Sequence, residues 1–538
     1  MGDRASGETA ATARGPVDLP SLAAEDHRIL AYASAIGSEF AFDLLVAAME
    51  VDDELLAERL EQLVRRGILA ERPGGERFRF VEEEFRARIY RSLTESRLRV
   101  LHRKIAEVME RMHPSPPPEV LAELGRHFFL GKSPEKSYDY NRRAAELARA
   151  ADEPDVAIHH LERAFVDLAA FGPGRMRERA ELAEALGNLC YAIASFSAAD
   201  RYFEEALGLV GDGEPRIRAR LLLARAEVAR ENLDGDRAAS GANDALRLFE
   251  GSDDPVGIAQ AHRLLGRLAF QRGAYRNALE ESLRAFEALP KGADARLFGR
   301  LSIDIGNAFA LLGGEVRPVA IEFYERAAQQ LRAARDWAEL ARALLNLGVA
   351  VGEERPADGL EHLERARNAA ERAHDARAMG RALLSGVEMR LALGDLEEAE
   401  RDNEQSGRLL ERLADELGLE QVVLNRGLIA ERRAQWEDAE RAYSTAAGMA
   451  RVHRLVALEA EATLYLARLR FKTHNREPAR RAFERATELH LKELCPRLVS
   501  PYEELAREFA AEEHARTSEP DGGPSASPPA PGPPERPL

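Results

Sequence analysis

Nine small residues spaced about 40 apart constrain this chain more than any other feature. Ala157, Ala199, Ala238, Ala278, Ala320, Gly359, Ala399, Ala439 and Ala479 follow one another at intervals of 42, 39, 40, 42, 39, 40, 40 and 40. Seven positions after each stands a second small residue: Ala164, Ala206, Ala245, Ala285, Ala327, Ala366, Ser406, Ala446 and Ala486. Seven residues make two helical turns, so each pair shares one face of a helix, and a neighbouring helix can approach that face closely. A fixed period of this size marks a repeat array in which each helical unit buries its face against the next. Composition agrees, since aromatics make up only 6% of the 538 residues and strand formers are scarce.

The ends of the chain differ from its middle. Residues 1–20 lack periodicity, and residues 515–538, "RTSEPDGGPSASPPAPGPPERPL" from Arg516, are dominated by Pro, Gly and Ser. Both ends are expected to be disordered. Residues 21–112 predict three helices, a hairpin around Pro73-Gly74-Gly75 and two further helices, which is the winged-helix order. The prolines of "HPSPPP" then break the chain. Helix pairs are expected over 119–496, followed over 497–514 by a capping helix with a capping box at Ser500 and Glu503 and Pro501 at its first position.

Charge and cysteine content narrow the function. With 76 basic and 93 acidic side chains the net charge is -17, which argues against a general binder of nucleic acid or anionic membrane. Cys190 and Cys495 are too few for a disulfide framework. No apolar run reaches the length of a membrane span and no secretory signal opens the chain, so a cytoplasmic location is expected.

"GRHFFLGKSPEK" contains Gly131-Lys132-Ser133, the tail of a phosphate-binding loop. That loop needs G-x-x-x-x-G-K-[ST] between a strand and a helix, whereas Gly125 lies one residue too far from Gly131 and the preceding segment reads as helix. Ser133 and Pro134 instead predict a helix cap and first helical position. His159 and His160 are adjacent and project at different angles, no metal-ligand motif appears, and no serine sits in a nucleophile elbow. No cofactor and no catalytic activity are expected.

The unit "HRLLGRLAFQRGAYRNALEESLRAFEALP" resembles the tetratricopeptide repeat family, with Leu265-Gly266, Gly273, Tyr275, Ala278, Ala285 and Pro290 at the signature spacings and Ser282 in place of the usual aromatic. Trp436, Ala439, Tyr443 and Ala446, Gly394 and Ala399, and Ala479, Phe483 and Ala486 are further matches. The resemblance implies an all-α solenoid of helix pairs, with a longer period than usual. Residues Ile36-Gly37 with Phe40, Leu63 to Leu69, Phe78 to Phe80, and Ile89-Tyr90 to His102 resemble the winged-helix segment that follows the ATPase core in STAND-class signalling proteins of the maltose-regulon activator type. No ATPase accompanies it here, so that resemblance implies a regulatory role with any kinase or ATPase supplied by a separate partner.

Two candidate binding surfaces follow. The third helix of the winged-helix-like segment carries Asp52, Asp53, Glu54, Glu58 and Glu61 against three arginines, so it would be repelled by DNA phosphates. Arg86, Arg88, Arg91, Arg97, Arg99, Arg103 and Lys104 form a candidate basic docking face beyond it. In the resembled family the first helix of each pair lines the concave side. Transferring that phase places Arg220, Arg300, Arg342 and Arg381 at one repeat position, with Gln260 and Gln421 at the same position in other units. Arg263, Arg267, Asn307, Leu384, Leu424 and Phe471 fall at later ones. A ladder of arginines suggests an acidic, extended partner segment held by charge-assisted hydrogen bonds. The function expected is a protein-protein interaction scaffold or adaptor in signalling, and the second reading is a DNA-binding regulator with a repeat sensor region.

Overall fold

A computed structural model describes residues 22–211, 213–312, 316–495 and 498–518. The chain divides into two compact units, one ending at Asp254 and one beginning at Pro255.

The first unit opens with α1 (Ala24–Ile36), β1 (Glu39–Ala41), α2 (Phe42–Met49), α3 (Asp53–Arg65), the hairpin β2 (Leu69–Glu71) and β3 (Arg77–Phe80), then α4 (Glu83–Ser92) and α5 (Glu95–Met112). Sequence periodicity anticipates all of these except β1. The strands form a sheet in the order β1-β3-β2, antiparallel throughout, with Phe40 opposite Phe78. A three-residue strand leaves almost no local pattern. Here it exists because Phe40 meets Phe78 and Phe80 at ring distances of 6.0 and 6.2 Å and because Glu39 binds Arg72 and Arg77. Leu30, Phe40, Leu45, Met49, Leu60 and Leu63 are sealed from solvent in the core of this segment. Helix α6 (Pro118–Leu130) follows the proline break, and the same core continues through Leu121, Leu124 and Phe128 to Ala144.

Helix pairs occupy the rest of the first unit: α7 (Pro134–Ala150) with α8 (Pro154–Leu168), α9 (Met176–Ala192) with α10 (Phe196–Leu209), and α11 (Pro215–Glu231) with α12 (Gly235–Gly251). The second unit continues with α13 (Pro255–Gln271) and α14 (Tyr275–Ala288), α15 (Ala295–Leu312) and α16 (Arg317–Ala333), and α17 (Trp337–Gly352) and α18 (Pro356–Arg372). Next come α19 (Ala376–Leu393) and α20 (Leu396–Arg412), α21 (Glu416–Arg432) and α22 (Trp436–Val452), and α23 (Val456–Lys472) and α24 (Arg476–Glu488). The fold is thus an all-α series of tetratricopeptide-like helix pairs behind a small domain with one three-stranded sheet.

Every anchor residue of the repeat lies on the second helix of a pair and is buried; Ala157, Ala199, Ala320, Ala399, Ala439 and Ala479 are wholly so, as are eight of the nine small residues seven positions on, with Ala366 at 1% exposure. Gly359 breaks the alanine pattern for a steric reason. A Cβ there would sit 2.5 Å from the Cα of Gly352, so that contact between helix backbones admits no side chain. On the first helices a glycine often faces the ring of the second, as where Tyr443, wholly buried, lies over Gly427.

After α24 come α25 (Leu491–Leu494) and α26 (Val499–Ser518). α26 begins before Ser500, which therefore lies inside the first turn rather than capping it, and the helix continues past residue 514. The disorder expected over 1–20 and in the Pro-rich part of the tail lies outside the described residues. No helix among the described residues is long and apolar enough to cross a membrane.

Candidate functional site

Ser133 and Pro134 stand where expected, at the N-cap and first position of α7, but the Ser133 side chain makes no capping bond. Lys132 occupies a left-handed turn at φ 53° between two helices, and the segment has no strand before it. The phosphate-loop geometry is therefore absent from these residues.

The predicted arginine ladder lies on first helices, and its members hold carboxylates of their own chain. In the first unit Arg220 on α11 grips Glu184 on α9 with two bonds of 2.5 and 2.7 Å. In the second unit Arg263 on α13 binds Asp304 on α15 at 2.7 Å, with both side chains largely buried. Arg300 on α15 meets Asp336 at 3.4 Å and Glu339 at 3.1 Å. Arg342 pairs with Glu339 on its own helix at 2.7 Å, and Arg381 lies 3.6 Å from Asp415. Arg267 is half-buried. Asn307 accepts hydrogen bonds from Tyr324 at 2.8 Å and Asn346 at 2.7 Å.

A repeated device underlies these contacts. Asp336 and Asp415 are the N-caps of α17 and α21: one carboxylate oxygen accepts the backbone N–H of Glu339 or Gly418, and the other faces an arginine of the preceding first helix. Each aspartate thus satisfies a helix end and ties it to its neighbour. Arg377 joins Arg381 on Asp415 at 3.3 Å. Sequence reading found the arginines and missed their aspartates, which lie 36 and 34 residues downstream at Asp336 and Asp415.

The basic face of the small domain divides in two. Arg86 binds Glu83 and the Ser34 carbonyl, Arg91 binds Glu84, Lys104 meets Glu50 at 3.1 Å, and Arg88 lies over the Phe85 ring. Arg97, Arg99 and Arg103 on α5 are exposed and make no side-chain ion pair with any described residue. On α3, Asp52 caps the helix while Arg66 and Arg59 turn back to the buried Asp26 and Arg65 pairs with Glu61. The exposed charge of α3 is accordingly acidic.

Two buried polar clusters went unforeseen. Tyr90 Oη lies 2.8 Å from His102 Nε2, His102 Nδ1 lies 2.9 Å from His127 Nδ1, and Arg126 Nη2 lies 2.8 Å from His127 Nε2. A guanidinium only donates, so His127 accepts at Nε2 and carries its proton at Nδ1; His102 then accepts at Nδ1 and donates from Nε2 to Tyr90. Burial, aided by the Arg126 charge, lowers the His102 pKa to about 4 and holds His127 well below the ordinary value. In the second cluster Asn141 donates to Gly125 and Ser137, and His160 bonds Asn141 at 2.9 Å. Burial raises the Asp167 pKa to about 6, against a hydrogen bond with Ser137. This serine, histidine and aspartate do not make a nucleophilic triad, because Ser137 is wholly buried and the histidine is joined to Asn141. Among the described residues no group of three or more His, Cys, Asp or Glu is arranged to hold a metal ion. Cys190 and Cys495 are both buried and form no disulfide.

No known family profile matches this chain, and no curated protein does. Among solved structures it is similar to the STAND-class signal transduction ATPase with a tetratricopeptide repeat sensor from Pyrococcus horikoshii, at 13% identity and a TM-score of 0.44. That match covers 86% of this chain but just 66% of the Pyrococcus protein. Aspartyl phosphate phosphatase F from Bacillus subtilis matches at 14% identity and TM-score 0.44, over 69% of this chain and 93% of its own. The apo quorum sensor NprR from B. thuringiensis matches at 13% and 0.41, over 58% and 99%. The fold assignment rests on the chain's own repeated helix pairs.

Proposed function

We propose that this chain is a non-catalytic protein-protein adaptor whose first helices present the partner-binding face. The observation that carries the proposal is the regular fixing of polar side chains on those helices by carboxylates of neighbouring ones, from Arg220 with Glu184 to Arg381 with Asp415. Long side chains held in place lose less freedom on binding, so the face is pre-organised. Because each ladder arginine with a defined contact already has a counter-charge, the face suits a partner segment carrying both signs better than a uniformly acidic one. The exposed Arg97, Arg99 and Arg103 are the basic part of the small domain suited to an acidic protein surface. A signalling role beside a separate ATPase or kinase rests on the resemblance of residues 36–102 alone. A winged-helix-like DNA reader is the weaker alternative, because α3 presents carboxylates where phosphates would have to lie.

The test reverses Arg300 and Arg342 to Glu together and scores co-purifying native partners beside circular dichroism. Loss of partners with helicity retained is expected; survival of every partner with the same helicity means that this face recognises nothing. Sequence-specific retention of duplex DNA at roughly physiological salt would favour the alternative instead.

A further inference from the structure

The residue just before the first-helix position that is small in eight pairs, and Val387 in α19, is apolar or small in seven repeats: Leu186, Leu265, Ile305, Leu347 and Leu466, with Ala144 and Gly386. Two repeats place arginine there, Arg225 before Ala226 and Arg426 before Gly427. The two arginines meet different surroundings, and the first shows what the second lacks.

On α11, Arg225 is mostly buried and holds Asp200, the residue after the anchor Ala199, with bonds of 2.8 and 3.5 Å. Arg237 on α12 closes on the same carboxylate at 2.7 Å. The equivalent of Asp200 beside Arg426 is Glu400, directly after the anchor Ala399. Glu400, however, is taken by Arg433 through paired bonds of 3.0 and 2.7 Å. The equivalent of Arg237 is Asp438, which Arg441 holds. Arg426 is exposed and makes no hydrogen bond or ion pair with any described residue. It borders a cleft of about 380 Å³ between α20, α21 and α22, lined by Val423, Ile429, Ala430 and Ala442 together with the ion pairs Glu400–Arg433 and Asp438–Arg441 and the polar Gln435 and Thr445.

We propose that this cleft receives an aspartate or glutamate side chain of a partner protein, with its carboxylate on Arg426 and aliphatic neighbours on the apolar wall. The chain's own Asp200 on Arg225 is the template: at the same repeat position, the ligand of the guanidinium is a carboxylate. The cleft volume falls within the range of small binding sites; its other charges, Arg433 with Glu400 and Arg441 with Asp438, are already paired, so Arg426 is the guanidinium left to take an anionic group, beside apolar residues that suit aliphatic neighbours. The site lies between second helices and a first helix, apart from the Arg300 and Arg342 face, so it goes beyond the function proposed above.

Saturation-transfer NMR with N-acetyl-Leu-Glu-Leu-amide and its Gln counterpart tests the proposal on the full chain. The Glu peptide is expected to bind at least tenfold more tightly than the Gln peptide, and Arg426→Leu to remove the difference. Arg426→Gln should do the same, and provides the readout should the leucine variant misfold. Arg225→Leu, and Arg300→Glu with Arg342→Glu, should leave the preference intact. Equal binding of the two peptides, no detectable binding of the Glu peptide, or a preference unchanged in Arg426→Gln overturns it.

Discussion

Residues 22–112 and the helix pairs bury their chain by opposite means. The small domain closes around Leu30, Phe40, Leu45, Met49 and Leu60, large side chains that fill space between short elements. The pairs instead bring helices together over alanine and glycine, with rings such as Tyr443 laid into the gaps. In the first case stability resides in volume, so removal of atoms is the damaging change. In the second it resides in closeness, so addition is. Phe40→Ala is therefore expected to cost about 3 to 5 kcal/mol, the largest effect predicted here. Denaturant unfolding measures it, and a loss under about 1 kcal/mol would mean that the sheet does not depend on the Phe40, Phe78 and Phe80 cluster.

The next effect separates the two units by pH. His102 and His160 have their pKa lowered to about 4 by burial, and His127 is held well below its ordinary value. His102 and His160 bind protons in the unfolded state from about pH 6.5 downward and in the folded state only near or below pH 4. Their contribution to stability is complete above that window and is lost as pH falls through it. Asp167, raised to about 6, acts with the opposite sign because the folded state takes its proton first. His102 and His160 against Asp167 leave a surplus of about one proton near pH 5, or roughly 1 to 1.5 kcal/mol per pH unit at most, and the lowered His127 and His159 act in the same direction as the other histidines. Hydrogen exchange at pH 7 and pH 5 should show protection lost first around α5, α6 and α7. In the second unit the shifted histidine is His362 alone, lowered by burial and by Arg365. Equal loss in both units would sink this assignment.

Ala439→Leu probes the closeness of the pairs directly. Ala439 has no exposed surface, and three added carbons would force α22 away from its neighbours at a cost of about 1 to 3 kcal/mol. An unchanged melting temperature would contradict the packing described.

These contrasts also show what a sequence discloses. The alanine period was legible because every repeat needs the same close contact at the same phase, so the constraint recurs along the chain. β1 was not, since Glu39–Ala41 becomes a strand only when β3 offers an edge. The ladder arginines were visible by phase, but their partners Asp336 and Asp415 are set by how successive pairs stack, which no local spacing encodes. Arg426 stands at a position where five other repeats hold Leu or Ile, a signal available to anyone aligning the repeats. What surrounds it required three helices in place. Helix ends were the least legible. Gly273 and Gly394 mark two of them, whereas Asp152, Ala194, Leu233, Arg335, His374, Ala414, Ala434, Arg454 and His474 take the same left-handed turn without glycine.

That last group supplies the smallest prediction and the finest comparison between pairs. Leu233, in the turn between α11 and α12, has φ 61° and is 87% exposed, so its side chain gains little from burial while its Cβ crowds the following carbonyl. A left-handed residue other than glycine costs about 1 to 2 kcal/mol, and glycine returns part of that gain through the larger freedom of its unfolded chain. Leu233→Gly should therefore stabilise the first unit by about 0.5 to 1 kcal/mol. The reverse change at the matching turn, Gly273→Leu at φ 74°, should destabilise the second unit by a similar amount, because an added Cβ there meets no atom within 4 Å and only the backbone conformation resists it. Chemical denaturation of the two variants reads both signs. If the two substitutions shift stability in the same direction, the turn conformation is not what distinguishes these helix ends.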